Sequence, residues 1–85
     1  MRSAMKNLQL TIVSPEKKLF EGEVKQVTLP GVMGSFTILP QHAPIVSSLT
    51  RGKLSYVTTE GTAQEQEIKG GFIEMNDNNV SVCIN

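Results

Sequence analysis

The side chains able to do chemistry are few. His42 is the one histidine and Cys83 the one cysteine. As a pair they could act as base and nucleophile, the imidazole drawing the proton from the thiol. Cys83, however, sits in the alternating run Val80, Ser81, Val82, Cys83, Ile84, where cysteine behaves as a small packed residue. A metal site needs three or four His, Cys or carboxylate ligands, and one histidine with one cysteine is too few. Glu65 and Glu67 share one face of a polar run and read as solvated, and Tyr56 reads as a core-edge residue with its hydroxyl at the surface. Gly31, Gly34, Gly70 and Gly71 match neither phosphate-binding glycine pattern; glycines in strand-rich chains serve turns and bulges. No catalytic residue, cofactor or metal is assigned.

What remains is a surface. Residues 26–50 hold no Lys, Arg, Asp or Glu, although the chain has 16 charged residues, and they hold three of the four prolines, Pro30, Pro40 and Pro44. Turns normally lie at the surface, and surfaces normally carry charge. Phe36, Ile38 and Ile45 are expected in the core. Val32, Met33, Gln41, His42 and Ala43 fall on turns on either side of one short strand, so the two turns lie at its opposite ends. A neutral, weakly polar rim of this kind favours contact with other proteins.

The elements that must carry this rim are strands. Leu8, Leu10 and Ile12 alternate with Gln9 and Thr11; Leu54 and Tyr56 alternate with Ser55 and Val57; Val80, Val82 and Ile84 close the chain in the same way. Residues 18–20 form a short strand, Gly22 allows a bend or bulge, and residues 24–29 form a longer one. The three-residue spacing of Val24 and Val27 breaks alternation and predicts a bulge. Leu29, Pro30 and Gly31 have type II turn chemistry, and residues 31–34 form a tight loop with Val32 and Met33 near its tip. Residues 35–39 and 45–49 are extended, with a proline-bound segment between them. Residues 64–68 are an exposed or edge strand after a turn at Glu60 and Gly61, and residues 76–79 are a turn tolerant of left-handed backbone.

No segment repeats apolar residues at helical spacing, and turns recur at roughly the 8–12-residue interval of a sandwich or barrel. The fold class is all-β: two antiparallel sheets packed together, with Leu8, Leu10, Ile12, Phe20, Val24, Phe36, Ile38, Leu54, Phe72, Val80 and Val82 between them. Eighty-five residues make one domain, placed at 7–85; residues 1–6 are expected to be a disordered or appended N-terminus. The formal net charge is zero. That argues against nucleic acid, held through Lys and Arg on phosphates, and against electrostatic binding to anionic lipid. One cysteine excludes an internal disulfide.

The run VTLPGVMGSFTILPQHAPIV resembles the signature of the epsilon subunit of F-type rotary ATP synthase. That signature has a valine, a leucine-proline-glycine turn, a second glycine, a Phe-Gly-Ile-Leu-Pro-Gly strand end and then His-Ala-Pro. LTIVSPEKKLFEGEV, RGKLSY and GGFIEMNDNNVSV agree with it too, so the resemblance covers residues 7–84. Thr37 and Gln41 stand where the family usually has glycine; both are expected to fit extended backbone. The resemblance implies a flattened sandwich of two five-stranded sheets without chemistry of its own. It implies a place in the central stalk, packed against the gamma subunit and meeting the membrane ring of c subunits, so that ring rotation is coupled to ATP synthesis. Val32, Met33, Gly34 and Ser35 would face the ring, and Gln41, His42, Ala43 and Pro44 would lie at the rotor contact. No cofactor is implied. The location would be the cytoplasmic face of the bacterial plasma membrane, reached only through the complex. The family usually continues into a two-helix C-terminal domain that restrains ATP hydrolysis, and this chain is expected to lack that helical hairpin and its functions. The competing expectation is a free-standing small-ligand or carbohydrate-binding sandwich, which would need a pocket between the sheets rather than a filled core.

Overall fold

Alternation of side chains is clearest in the strands at the two ends of the chain. The computed structural model describes residues 7–85, so the expectation for residues 1–6 lies outside the described residues. Eight strands follow one another: β1 (Leu8–Val13), β2 (Lys18–Gly31), β3 (Gly34–Ile38), β4 (Ile45–Leu49), β5 (Gly52–Thr58), β6 (Ala63–Ile68), β7 (Gly71–Asn76) and β8 (Asn79–Ile84). In β1, β7 and β8 every second residue is buried and its neighbours face out, the period of a half-buried strand.

The hydrogen-bonded order runs β1, β8, β7, β4, β2, β5, β6, with β3 added beside β2 and β1 also paired to β2. β2 is the link. Its first half pairs with β1, from Leu8 opposite Val24 to Val13 opposite Lys18. Its second half pairs with β3 on one side and β5 on the other. One layer thus holds the first half of β2 with β1, β8, β7 and β4; the other holds β3, the second half of β2, β5 and β6. All pairings are antiparallel except that of β1 with β8. The all-β, two-layer expectation holds, but β1 and β8 break the antiparallel pattern and the second layer has four members rather than five.

Two local readings change. Residues 18–31 form one strand rather than two, because Gly22 stays in regular register opposite Leu10. Gly22 instead makes room for a ring: a Cβ there would lie 3.2 Å from Phe20 Cζ. The bulge predicted from the Val24 and Val27 spacing is present, as a register shift between Val24 and Gln26 against β5. It lets β2 pass from one layer to the other.

The core comprises Leu8, Leu10, Ile12, Val24, Val27, Leu29, Ile38, Leu49, Leu54, Ile68, Ile73, Met75, Val80, Val82 and Ile84. These side chains fill the space between the layers where a ligand pocket would have to lie. The three phenylalanines placed in the core are not fully buried. Phe20 and Phe36 pack on its margin with Ile45 and Tyr56, and Phe20 meets Tyr56 across the layers with ring centroids 4.5 Å apart. Phe72 faces outward and is 48% exposed. It shares a face with Glu74, whereas Ile73 and Met75 point inward.

Candidate functional site

The uncharged segment forms two exposed patches joined by β3. The first is the β2–β3 turn. Gly31 pairs with Gly34, leaving Val32 and Met33 as a two-residue loop, the shortest common hairpin connection. The expected type II turn at residues 29–31 is absent: Pro30 and Gly31 are strand residues. The Gly31 backbone passes so close to its partner strand that a Cβ would lie 2.8 Å from both the Gly34 carbonyl oxygen and Phe36 Cε1. Gly34 has φ +126, a conformation L side chains rarely adopt. Space therefore requires glycine at position 31 and backbone conformation favours it at position 34; the tip is presented outward, with Met33 96% exposed and Val32 57%. The root is braced by β4, since Val32 N–H donates to the Ser48 carbonyl at 3.2 Å and Thr50 N–H donates to that of Pro30 at 2.8 Å. Ser35 is exposed at the start of β3.

The second patch follows β3. Leu39, Pro40, Gln41 and His42 make a β-turn closed by His42 N–H donating to the Leu39 carbonyl at 3.1 Å. Proline at its second position and φ +68 at Gln41, its third, are the features of a type II turn. Gln41 is thus left-handed, not extended as expected, which is the physical reason glycine suits this position. Gln41 N–H also donates to Asn78 Oδ1 on the β7–β8 turn at 2.6 Å. His42 Nδ1 lies 2.8 Å from the Ala43 carbonyl; a carbonyl only accepts, so Nδ1 is the donor in this contact. Gln41, His42, Ala43 and Pro44 are all exposed, and an open groove runs between this segment and Asn76, Asp77 and Asn78.

The two patches stay apart. β3 and β4 each span five residues between them, on the order of 13 Å at strand rise. His42 lies by the β7–β8 turn, whereas Cys83 lies toward the far end of β8, between Val13 and Phe72; the structure forms no histidine–cysteine pair. Glu65 is exposed and sits 3.5 Å from Lys53, a surface pair of small worth. No group of three metal-ligating side chains occurs among the described residues. Thr37 is extended, and its Oγ1 lies 2.9 Å from Thr28 Oγ1 across the ladder.

One surface went unread in the sequence. Phe72 and Val46, 48% and 73% exposed, stand on the outer face of the β1, β8, β7, β4 layer. The signal was present: charged Glu74 fixes the outward phase of β7, and Phe72 is in phase with it.

Residues 7–85 match the family described as ATP synthase, Delta/Epsilon chain, beta-sandwich domain. The chain is 44% identical over 75 residues to the ATP synthase epsilon chain of Leptospira borgpetersenii, covering 88% of this chain and 58% of that protein. It is 42% identical over 78 residues to that of Nitrobacter winogradskyi, covering 92% and 57%. It therefore spans somewhat less than three-fifths of these relatives. Among solved structures, a chain of the Euglena gracilis mitochondrial ATP synthase, in an assembly of OSCP, F1 and c-ring, superposes with a TM-score of 0.86 at 25% identity, over 92% of this chain and 50% of that one. A chain of the Tetrahymena thermophila central stalk and c-ring shares the fold, with a TM-score of 0.77 at 15% identity, over 96% of this chain and 66% of that one.

Proposed function

The chain belongs to the ATP synthase delta/epsilon-chain β-sandwich family, and from that premise we propose that it is a non-catalytic piece of the rotor stalk, linking the c-ring to the gamma subunit. The observation that carries this reading is the pair of uncharged patches held out on braced turns. The Met33 tip is anchored to β4 and the Gln41 turn to Asn78. A close-packed body with such anchors passes a load between neighbours with little deformation. In this reading Val32, Met33, Gly34 and Ser35 meet the polar loops of the c-ring. Gln41, His42, Ala43 and Pro44 meet gamma, and the chain sits at the cytoplasmic face of a bacterial inner membrane through the complex alone.

The test is association. The chain should co-purify with gamma, and His42→Ala should weaken that association while leaving the melting temperature in place. With Cys83→Ser as background, Met33→Cys should cross-link to a c-subunit loop. Failure to bind gamma, with no cross-link from position 33, would overturn the reading.

A further inference from the structure

We infer that the open edge of β3 is a strand-addition site, at which an extended, uncharged segment of the gamma subunit pairs by main-chain hydrogen bonds; this rests on the stalk reading above. The register fixes which groups are free. In a two-residue hairpin the pair flanking the loop is the mutually hydrogen-bonded one, and such pairs alternate with non-bonded pairs along the ladder. Gly31 with Gly34, Leu29 with Phe36 and Val27 with Ile38 are therefore bonded, and Pro30 with Ser35 and Thr28 with Thr37 are not. Two observations agree. Pro30, which has no N–H, falls in a non-bonded pair and turns its carbonyl toward Thr50. The Thr28 and Thr37 side chains approach to 2.9 Å, as side chains do in non-bonded pairs. Ser35 and Thr37 thus aim their N–H and C=O groups away from β2, on the side where β3 pairs with no other strand among the described residues.

Open edges invite pairing, and proteins usually guard them with charge, proline or distortion. The edge at β6 carries exposed Glu65 and Glu67, and the open side of the first half of β2 carries Lys18, Glu21 and Glu23. That of β4 is shortened where its end meets Gly31. β3 has no charge, no proline and no bulge. This unguarded edge runs directly into the Gln41 patch, which the stalk reading gives to gamma, so one segment of gamma can cover both. Two five-residue strands paired alone fall well below the ~1,200 Å² of a stable interface, which favours a larger partner over a second copy of this chain.

The test uses the 85-residue chain with purified gamma subunit. Thr37→Pro removes an N–H that serves no internal ladder bond, and Phe36 before it is already extended, as a residue preceding proline must be. Thr37→Val, which loses the contact with the Thr28 hydroxyl but keeps the N–H, is the reference: against it, Thr37→Pro should lower affinity for gamma at least about tenfold at a similar melting temperature. Independently of that variant, the Ser35 and Thr37 amides of the wild-type chain should exchange fast when free and slowly in the complex, while those of Glu65 and Glu67 stay fast. If the wild type binds gamma but the Ser35 and Thr37 amides remain fast, strand addition is wrong and the stalk reading stands. If the free chain dimerises and Thr37→Pro abolishes the dimer, the occupant is a second copy and the inference is overturned. No binding to gamma at all sinks the stalk reading itself.

Discussion

The backbone N–H of Gln41 donates to Asn78 Oδ1 at 2.6 Å, joining two residues that are both left-handed, at φ +68 and φ +65. Asn78 is suited to that backbone and Gln41 is not. Asn78 also accepts Gln9 N–H through its carbonyl at 2.8 Å, so one turn residue ties the exposed segment to both β1 and the β7–β8 hairpin.

Gln41→Gly should therefore stabilise the chain. Glycine relieves the left-handed strain and keeps the N–H, for a gain of about 0.5–1 kcal/mol. Thermal unfolding should shift upward by a few degrees, about what this gain gives a domain of this size. An unchanged or lower midpoint would mean that the Gln41 side chain itself supports the turn.

Two glycines should differ sharply. A Cβ at Gly71 would run into the Cys83 carbonyl oxygen and Ile84 Cα of β8, so Gly71→Ala should cost more than about 3 kcal/mol or prevent folding. A Cβ at Gly34 meets nothing within 4 Å, so Gly34→Ala should cost only its backbone strain, about 1–2 kcal/mol. Urea unfolding of the two variants checks the order.

Neighbours in β7 should separate in the same way. Ile73 is fully buried and Phe72 is half-exposed. Ile73→Ala should cost about 2–5 kcal/mol by leaving a cavity, while Phe72→Ser should cost less than about 1 kcal/mol. Equal losses in chemical denaturation would put Phe72 back in the core.

That pair marks how far the sequence could be read. Strict alternation in β1, β5 and β8 gave the strands, and turn chemistry gave the tip at Val32 and Met33 and the hairpin at Asp77 and Asn78. The three phenylalanines misled because hydrophobicity was weighed above phase: Ile73 and Met75 set the inward side of β7 and leave Phe72 outside. The Pro30-Gly31 pair misled because local turn propensity cannot see that proline in a non-bonded position costs the β2–β3 ladder nothing. Gln41 departs from extended backbone, and the bond that holds it, its N–H donating to Asn78 Oδ1, reaches 37 positions along the chain. The two exposed patches were legible as an absence of charge; their bracing by β4 and by the β7–β8 turn is long-range and was not.

Burial also raises the Tyr56 hydroxyl above its ordinary pKa of 10.0. The folded chain thus holds this proton to higher pH than the unfolded chain does, so the contribution to stability is intact below pH 10 and is lost as pH rises through the folded value. Absorbance titration of the single tyrosine should give a midpoint above 10, returning toward 10 in urea. A midpoint at or below 10 in the folded chain would mean that the hydroxyl is fully solvated.

The parallel pairing of β1 with β8 has a consequence for how the molecule comes into being. During synthesis the first strand emerges early, but its neighbour is the last of the eight to be made. Until then β1 can lean only on β2, and the β7–β4 part of its layer is held only where the end of β4 meets Gly31 of β2. Closure waits on the slowest kind of contact, one between distant parts of the chain, so the nascent chain depends on being kept from wrong partners until β8 has emerged.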